Sequence, residues 1–146
     1  MSHELIFGKD EELAAWAESN YPDCAPLSRP LTAIGVADKG GNVIAVAVYS
    51  DFVYPSIEIT FVAATRSRWA TKPIIRSILH YPFFQLNVKR MTAVTAKSNK
   101  LARKLNESIG FVLEGVHPYA MQGETACSYG LYRDAAIKKW FLEESA

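Results

Sequence analysis

Residues 57–79 constrain the fold of this chain more than any other stretch. Residues 57–64 are rich in β-branched and aromatic residues, which favours a strand, and they contain one carboxylate, Glu58. A short basic loop follows, and Pro73 then stands at the start of a segment with apolar residues at helical spacing. Such a strand–loop–helix unit forms an anion site, because free N–H groups and the helix dipole favour a phosphate. The alternative is an ordinary strand-to-helix connection with a solvated loop.

The rest of the pattern predicts an α+β domain in which helices interrupt a mostly antiparallel sheet. Two apolar runs, 31–37 and 43–53, flank a glycine-rich turn and indicate a β-hairpin. Further strands are predicted at 4–7, 90–96, 111–116 and 128–132.

Helices are expected where a capping residue precedes apolar positions at helical spacing. Asp10 would cap a first helix that ends near residue 20, and a second follows Thr71. A third begins at Ser98 or Asn99, ends at Gly110 and turns Leu101, Leu105 and Ile109 toward the core. A terminal amphipathic segment follows, around residues 137–141.

Composition and charge narrow the functional classes. A length of 146 residues suits one domain, residues 1–146, and 49% hydrophobic residues suffice for a core. The net charge of +1 argues against broad nucleic-acid binding. Cys24 and Cys127 have no His or Cys partner at metal-ligand spacing, so we expect no metal site and free thiols in a reducing compartment.

No targeting or membrane segment is apparent in the sequence. The first residues lack a basic region followed by an apolar one, and no apolar run approaches the ~20 residues that span a bilayer. We therefore expect a cytoplasmic protein.

One group of residues carries a family resemblance. Asn99 and Ala102 are followed by Gly110–Phe111 and Glu114–Gly115. This pattern resembles the N-x-x-A…G-F…E-G signature of the GNAT superfamily of acyl-CoA-dependent N-acetyltransferases, and most of all the branch that acetylates ribosomal-protein N-termini. The segment 68–83 also resembles GNAT-like proteins carried by bacteriophages, which would place this protein in a host cytoplasm.

The resemblance implies a single-domain GNAT-like fold with a splayed cleft between the fourth and fifth strands. In that family the fourth strand carries a bulge, and the pantetheine arm of acetyl-CoA binds its backbone like an extra strand. Phe61, Val62 and Ala63 would take that role here. Acetyl-CoA, as co-substrate, and an amine acceptor are the implied partners, and the protein is expected as a monomer or homodimer.

The resemblance also assigns the basic loop to the pyrophosphate. The family loop carries two glycines whose N–H groups bind the phosphates, but Trp69 and Thr71 occupy those positions here. We therefore expect a loop that depends more on side-chain cations. The cofactor-binding residues implied for this loop are Arg66, Arg68, Trp69, Ala70, Thr71 and Lys72.

Glu58 matches a strand glutamate that some GNAT members use as the general base. An amine must lose a proton before it attacks a thioester, and a half-buried carboxylate facing the cleft could accept that proton. The structural alternative is a charge on the solvent side of a sheet. Strand alternation places Glu58, Thr60 and Val62 on one face without deciding between the two.

The general acid of many GNAT enzymes has no equivalent here. Asn106 stands where they have a tyrosine, so coenzyme A would leave as a thiolate, and Tyr119 and Ser128 are unranked substitutes. His80 and His117 are interpreted as isolated and non-catalytic.

The resemblance gives the third helix a part in cofactor binding. Asn99 would contact the pantetheine or adenosine-phosphate arm, or simply cap the helix. Arg103 and Lys104 would screen the phosphates, or form a solvated helix face.

The sequence thus predicts acetyl transfer from acetyl-CoA to a primary amine of a protein or small molecule. A non-catalytic GNAT-fold module that binds coenzyme A or a host protein is the main alternative, and a nucleic-acid-associated factor is a third. The stretches 49–54 and 117–121 would border the acceptor entrance, and neither is acidic enough to predict a polyamine.

Overall fold

The computed structural model of the protein describes residues 3–21, 27–64, 68–121 and 123–142. Within these residues, seven strands form one sheet in the order β1-β2-β3-β4-β5-β7-β6. The strands are β1 (Glu4–Ile6), β2 (Leu31–Ala37), β3 (Val43–Val53), β4 (Ser56–Ala63), β5 (Arg90–Ala96), β6 (Val112–Met121) and β7 (Glu124–Tyr132). The α-helices are α1 (Asp10–Asn20), α2 (Lys72–His80), α3 (Lys100–Ile109) and α4 (Arg133–Trp140). Neighbouring strands are antiparallel except β4 and β5, which are parallel, so the predicted mostly antiparallel α+β fold is confirmed.

The β2–β3 hairpin follows its sequence prediction to the residue. Its turn is closed by a 2.9 Å hydrogen bond from the Asp38 N–H to the Asn42 carbonyl. The Asp38 carboxylate accepts from the N–H groups of Gly40 and Asn42, and Gly41 has a φ of 83°, which an L side chain rarely adopts.

The two faces of the sheet carry separate cores. On one face, α1 places Leu13, Ala14 and Ala17 against the strand residues Val46 and Val62. On the other, α2, α3 and α4 cover the strands with a larger cluster that includes Ile75, Ile78, Leu79, Ile109 and Ala136. Each fully buried Ile or Leu side chain in this cluster stabilises the fold by roughly 1.5–3 kcal/mol.

The regular α-helix α2 ends at His80 and gives way around Pro82 to a π-helical turn, Tyr81–Gln85, that buries Phe83. Two local expectations need correction. Lys9, not Asp10, is the N-cap of α1, because the Asp10 carboxylate instead accepts a 3.0 Å hydrogen bond from the Ala33 N–H on β2. Leu101 was expected in the core but is 73% exposed.

The last two strands are longer than the sequence predicts. β6 starts at Val112 and runs to Met121, and β7 already begins at Glu124. β6 is an edge strand exposed along most of its length, so its residues need not alternate between apolar and polar types. None of the helices in the described ranges is long and apolar enough to cross a membrane.

Candidate active site

The site is organised by the separation of β4 from β5. These parallel strands pair only at Ser56–Arg90, Ile57–Met91 and Glu58–Thr92. β4 then continues to Ala63 and β5 to Ala96 without further pairing between the two strands. The predicted splayed cleft is thereby confirmed, and the β5-side edge of β4 beyond Glu58 has no strand partner among the described residues.

The bulge implied for β4 is absent from the part that borders the cleft. The register between β3 and β4 is continuous from Ser50–Glu58 to Ala45–Ala63. The irregularity lies in β3 instead, where Asp51 has a φ of 51° just after Ser50. The opening therefore arises from the divergence of β5, while β4 keeps its pairing with β3.

A cleft of about 1080 Å³ occupies this opening. One wall is the end of β4 and another is formed by α3, which contributes Leu101 and Leu105. The exposed Leu101 therefore borders the cleft. Six of the residues predicted to bind the cofactor line it: Phe61, Val62, Ala63, Trp69, Ala70 and Asn99.

Trp69 forms an apolar wall of the cleft. Its side chain is 5% exposed and belongs to the core, with its ring 6.1 Å from that of Phe61. Between Arg68 and Thr71, no residue adopts a left-handed conformation. The described part of this loop therefore does not need glycine where the family pattern has it.

The predicted cations are distributed unevenly around the cleft. Arg68 and Lys72 are exposed next to the N-terminus of α2, whereas Arg66 lies outside the described residues. Lys104 is exposed on α3. Arg103 is directed toward β7, because its guanidinium donates to the Tyr129 hydroxyl at 3.0 Å and to the Lys97 carbonyl at 3.1 Å. The structure thus does not place Arg103 or Lys104 in the cleft lining.

The N-terminus of α2 supplies hydrogen-bond donors beside these cations. The Thr71 N–H donates to the Trp69 carbonyl, and Pro73 has no N–H. The N–H groups of Lys72 and Ile74, in the first turn, have no intrahelical acceptor. Thr71 and Lys72 themselves are exposed and do not line the cleft.

Asn99 both caps α3 and borders the cleft. It is the N-cap of α3, where its Oδ1 accepts a 3.1 Å hydrogen bond from the Ala102 N–H, and it also lines the cleft. The capping role is thus confirmed, and the side chain stands where a ligand in the cleft would pass.

Glu58 lies at the point where the two strands separate. It is paired with Ser50 and Thr92 and is half-buried on the sheet face that α1 covers further along. Burial raises its pKa above the ordinary carboxyl value, and the neighbouring Asp51 raises it further through charge repulsion and a hydrogen bond. The Asp51 carboxylate accepts a 2.9 Å hydrogen bond from the Ser28 hydroxyl.

The same sheet face continues across β5, β7 and β6, where α1 makes no core contact. We call this region the open face; its residues on paired strands include Thr92, Val94, Ser128, Gly130 and Gly115. On it, Glu114 forms a 2.5 Å ion pair with Arg90 and accepts a hydrogen bond from the Tyr132 hydroxyl. These contacts lower the pKa of Glu114.

Comparison with known proteins bears on the fold. No protein-family model matches this sequence, and no curated protein does. Among solved structures, mutant forms of the spermidine/spermine N-acetyltransferase SpeG from Vibrio cholerae match with a TM-score of 0.74 at 17% identity, covering 94% of this chain and 99% of that one. A dodecameric structure of spermidine N-acetyltransferase from Vibrio cholerae matches with a TM-score of 0.72 at 17% identity, covering 94% and 97%.

The chain has the GNAT fold. The expectation drawn from Asn99, Gly110 and Glu114 is thereby confirmed at the level of the fold. The structures that match are spermidine N-acetyltransferases, so they give no support to the finer placement among ribosomal-protein acetyltransferases or to a phage origin.

On this GNAT fold, a polar pair appears that the sequence did not reveal. His117 was expected to be isolated, but its Nε2 lies 2.9 Å from the Ser128 hydroxyl on the open face. The two residues are eleven positions apart and meet only through the register of the β6–β7 hairpin, which sequence spacing does not supply. His80 instead stacks on Phe84, with ring centroids 5.2 Å apart.

The substitutes for a general acid differ in position. Asn106 is 3% exposed within α3, and Tyr119 is 89% exposed near the tip of the β6–β7 hairpin. Ser128 lies on β7 opposite Val94 of β5, two residues beyond the last β4–β5 pair. Of the two substitutes, Ser128 is therefore the one that lies near the separation of β4 from β5.

Proposed function

We propose that this protein is an N-acetyltransferase that moves an acetyl group from acetyl-CoA to a primary amine by direct attack in a ternary complex. The observation that carries the proposal is the unpaired edge of β4 at residues 59–63, which faces an apolar cleft of about 1080 Å³. An extended chain that alternates amides with methylenes, such as pantetheine, can bind such an edge as an added strand.

The cofactor would extend from the sheet to the helix N-termini. Its amides hydrogen-bond to the backbone of Phe61–Ala63, and Trp69 and Leu101 pack on its apolar parts. Its pyrophosphate lies near the N-terminus of α2, where Arg68, Lys72 and the free N–H groups provide positive potential. Arg66 remains a predicted ligand of the same phosphates.

Glu58 accepts the proton that the acceptor ammonium must lose. The free amine then attacks the thioester carbon, the carbon–nitrogen bond forms, the carbon–sulfur bond breaks, and coenzyme A leaves with the electron pair. A backbone N–H near Val62 stabilises the oxyanion, and the N–H of Phe61 or Ala63 suits this role because it points to the cleft, whereas the Val62 N–H points to β3. Glu58 and Val62 are four strand residues apart, roughly 13 Å between Cα atoms, so the proton reaches Glu58 through water.

The acceptor is a primary amine, which the Glu58–Asp51 carboxylates attract while it is protonated. The similar Vibrio cholerae enzymes are spermidine acetyltransferases, which supports an amine acceptor. The ribosomal-protein branch, a phage origin, a cytoplasmic location and a monomeric or homodimeric state remain predictions.

Substitution of Glu58 tests the chemistry. Glu58→Gln keeps the size and hydrogen bonding of the side chain but accepts no proton, so kcat should fall by about 10²-fold or more while the Kd for acetyl-CoA changes little. Glu12→Gln, at an exposed position on α1, is the matched control and should behave like the unaltered protein. Equal kcat for Glu58→Gln at saturating substrates would remove Glu58 from the role of base.

A second candidate function is a non-catalytic module that binds coenzyme A or a host protein. The buried Asn106 favours it, because that residue cannot protonate a leaving thiolate. Calorimetry with acetyl-CoA, combined with mass spectrometry of amine mixtures, separates the two functions. Binding with no acetylated product would support the module and overturn the enzyme.

A further inference from the structure

The His117–Ser128 pair lies on the open face at the far side of Val94 from the cleft. Ser128 is paired directly with Val94, so their side chains share this face. The Val94 side chain is 42% exposed and stands between the pair and the separation of β4 from β5. A ligand that leaves the cleft across β5 therefore passes over an apolar residue and meets the pair.

The pair occupies a space that depends on Gly115. A Cβ atom at residue 115 would lie 2.8 Å from His117 Nε2, 2.9 Å from its Cε1 and 3.1 Å from the Ser128 Oγ. The imidazole thus lies over the glycine, and a larger residue would displace it from Ser128.

The charges around the pair are already compensated. Glu114 is engaged by the Arg90 guanidinium and the Tyr132 hydroxyl, and its side chain lies over Gly130, where a Cβ would come within 2.6 Å of it. Among the described residues of this part of the open face, His117 and Ser128 therefore offer hydrogen-bonding groups without an unpaired carboxylate that would hold a second ammonium.

We propose that the His117–Ser128 pair is an acceptor subsite that selects amines with a neutral hydrogen-bonding group, an amide or a hydroxyl, at their far end. This inference rests on the proposed function. The reactive amine lies in the cleft beside the thioester, from which its proton reaches Glu58 through water, and the linker crosses Val94. The neutral group reaches the pair at β7, the next strand beyond β5, roughly 7–10 Å from the middle of the cleft. The Ser128 hydroxyl donates to a carbonyl or hydroxyl oxygen of the ligand. The Ser128 hydroxyl oxygen and the His117 ring nitrogen accept from an amide N–H or a hydroxyl.

The test uses two acceptors of equal chain length. Mono-N-acetylated 1,5-diaminopentane ends in a neutral amide, and 1,5-diaminopentane itself ends in an ammonium. Each is assayed in its own reaction with acetyl-CoA, because the product of the diamine is itself the amide acceptor, and initial rates give the ratio of their kcat/KM values. Ser128→Ala should lower the amide-to-diamine ratio about 3- to 10-fold, the effect of one lost hydrogen bond.

Two further variants separate recognition from damage to the fold. Gly115→Ala keeps both polar residues but displaces the imidazole, so it should lower the same ratio. Ser108→Ala, whose hydroxyl donates only to the Leu105 carbonyl at the end of α3, should leave the ratio unchanged. The KM for acetyl-CoA should stay constant in all three variants.

The outcomes separate this inference from the function on which it rests. Acetylation by the unaltered protein with the same ratio in Ser128→Ala and Gly115→Ala would overturn the subsite alone, as would a ratio that rises in these variants. A failure of the unaltered protein to acetylate any amine would overturn the proposed function, and the subsite with it.

Discussion

At the scale of single residues, the carboxylate of Glu58 makes the stability of the fold depend on pH. Burial and then Asp51 raise its pKa in the folded protein. At pH values below the ordinary carboxyl range, Glu58 is protonated in both the folded and unfolded states and the repulsion has no effect. As the pH rises, the unfolded state loses its proton first, so stability is lost progressively until the folded carboxyl ionises as well.

This pH dependence predicts how the substitution Glu58→Gln changes the stability of the fold. Glu58→Gln should raise the thermal midpoint above that of the unaltered protein at pH 7 to 8, and the difference should disappear below about pH 4, where both side chains are neutral. Thermal unfolding across this pH range measures it. A Glu58→Gln protein that is less stable at neutral pH would show that the ionised carboxylate makes a favourable contact instead.

Sequence and structure differ in what they reveal about single residues. Glu58 could be proposed from the sequence because it is the one carboxylate in an otherwise apolar and hydroxyl-bearing strand and matches a glutamate of the GNAT pattern. His117 could not, because its partner Ser128 and the glycine beneath it, Gly115, come together only when the hairpin register is known.

At the scale of elements, the first turn of α3 both stabilises the helix and borders the cleft. Asn99 caps the helix through the Ala102 N–H, and Leu101, together with Leu105 in the next turn, faces the opening. The sequence placed the start of this helix correctly, but the spacing of Leu101 could not show that it faces a cleft rather than the core.

Substitutions at Asn99 separate the two roles of this turn. Asn99→Ala should cost about 1 kcal/mol of stability through the lost cap. Asn99→Asp keeps a good cap, so stability should be nearly unchanged, while its negative charge should weaken acetyl-CoA binding. Chemical denaturation and calorimetry measure the two effects. Equal acetyl-CoA affinity in Asn99→Asp and the unaltered protein would place the phosphates away from α3.

The bounds of a strand were predicted accurately where a long apolar run lay between turn residues. β2, β3 and β5 have the predicted bounds, because long apolar runs lie between turn residues. β6 and β7 extend further than predicted, because the exposed edge strand contains charged, aromatic and proline residues without alternation.

At the scale of the whole molecule, the order of the strands creates the site. β4 and β5 lie side by side in parallel at the centre of the sheet and separate after three residue pairs. No local pattern in either strand encodes this separation, because it depends on how each strand pairs with its other neighbour. The resemblance built on Asn99 and Gly110 anticipated it, whereas propensity and periodicity did not.

The central claim is that acetyl-CoA binds along the free edge of β4. Titration of the isotope-labelled protein with acetyl-CoA, followed by amide NMR, tests it most directly. The largest shifts are predicted for residues 61–64 and 99–102, which border the cleft. Saturable binding with shifts concentrated elsewhere, for example around the smaller cavity beside Asp10 and His80, or the absence of any shift at millimolar acetyl-CoA, would contradict it.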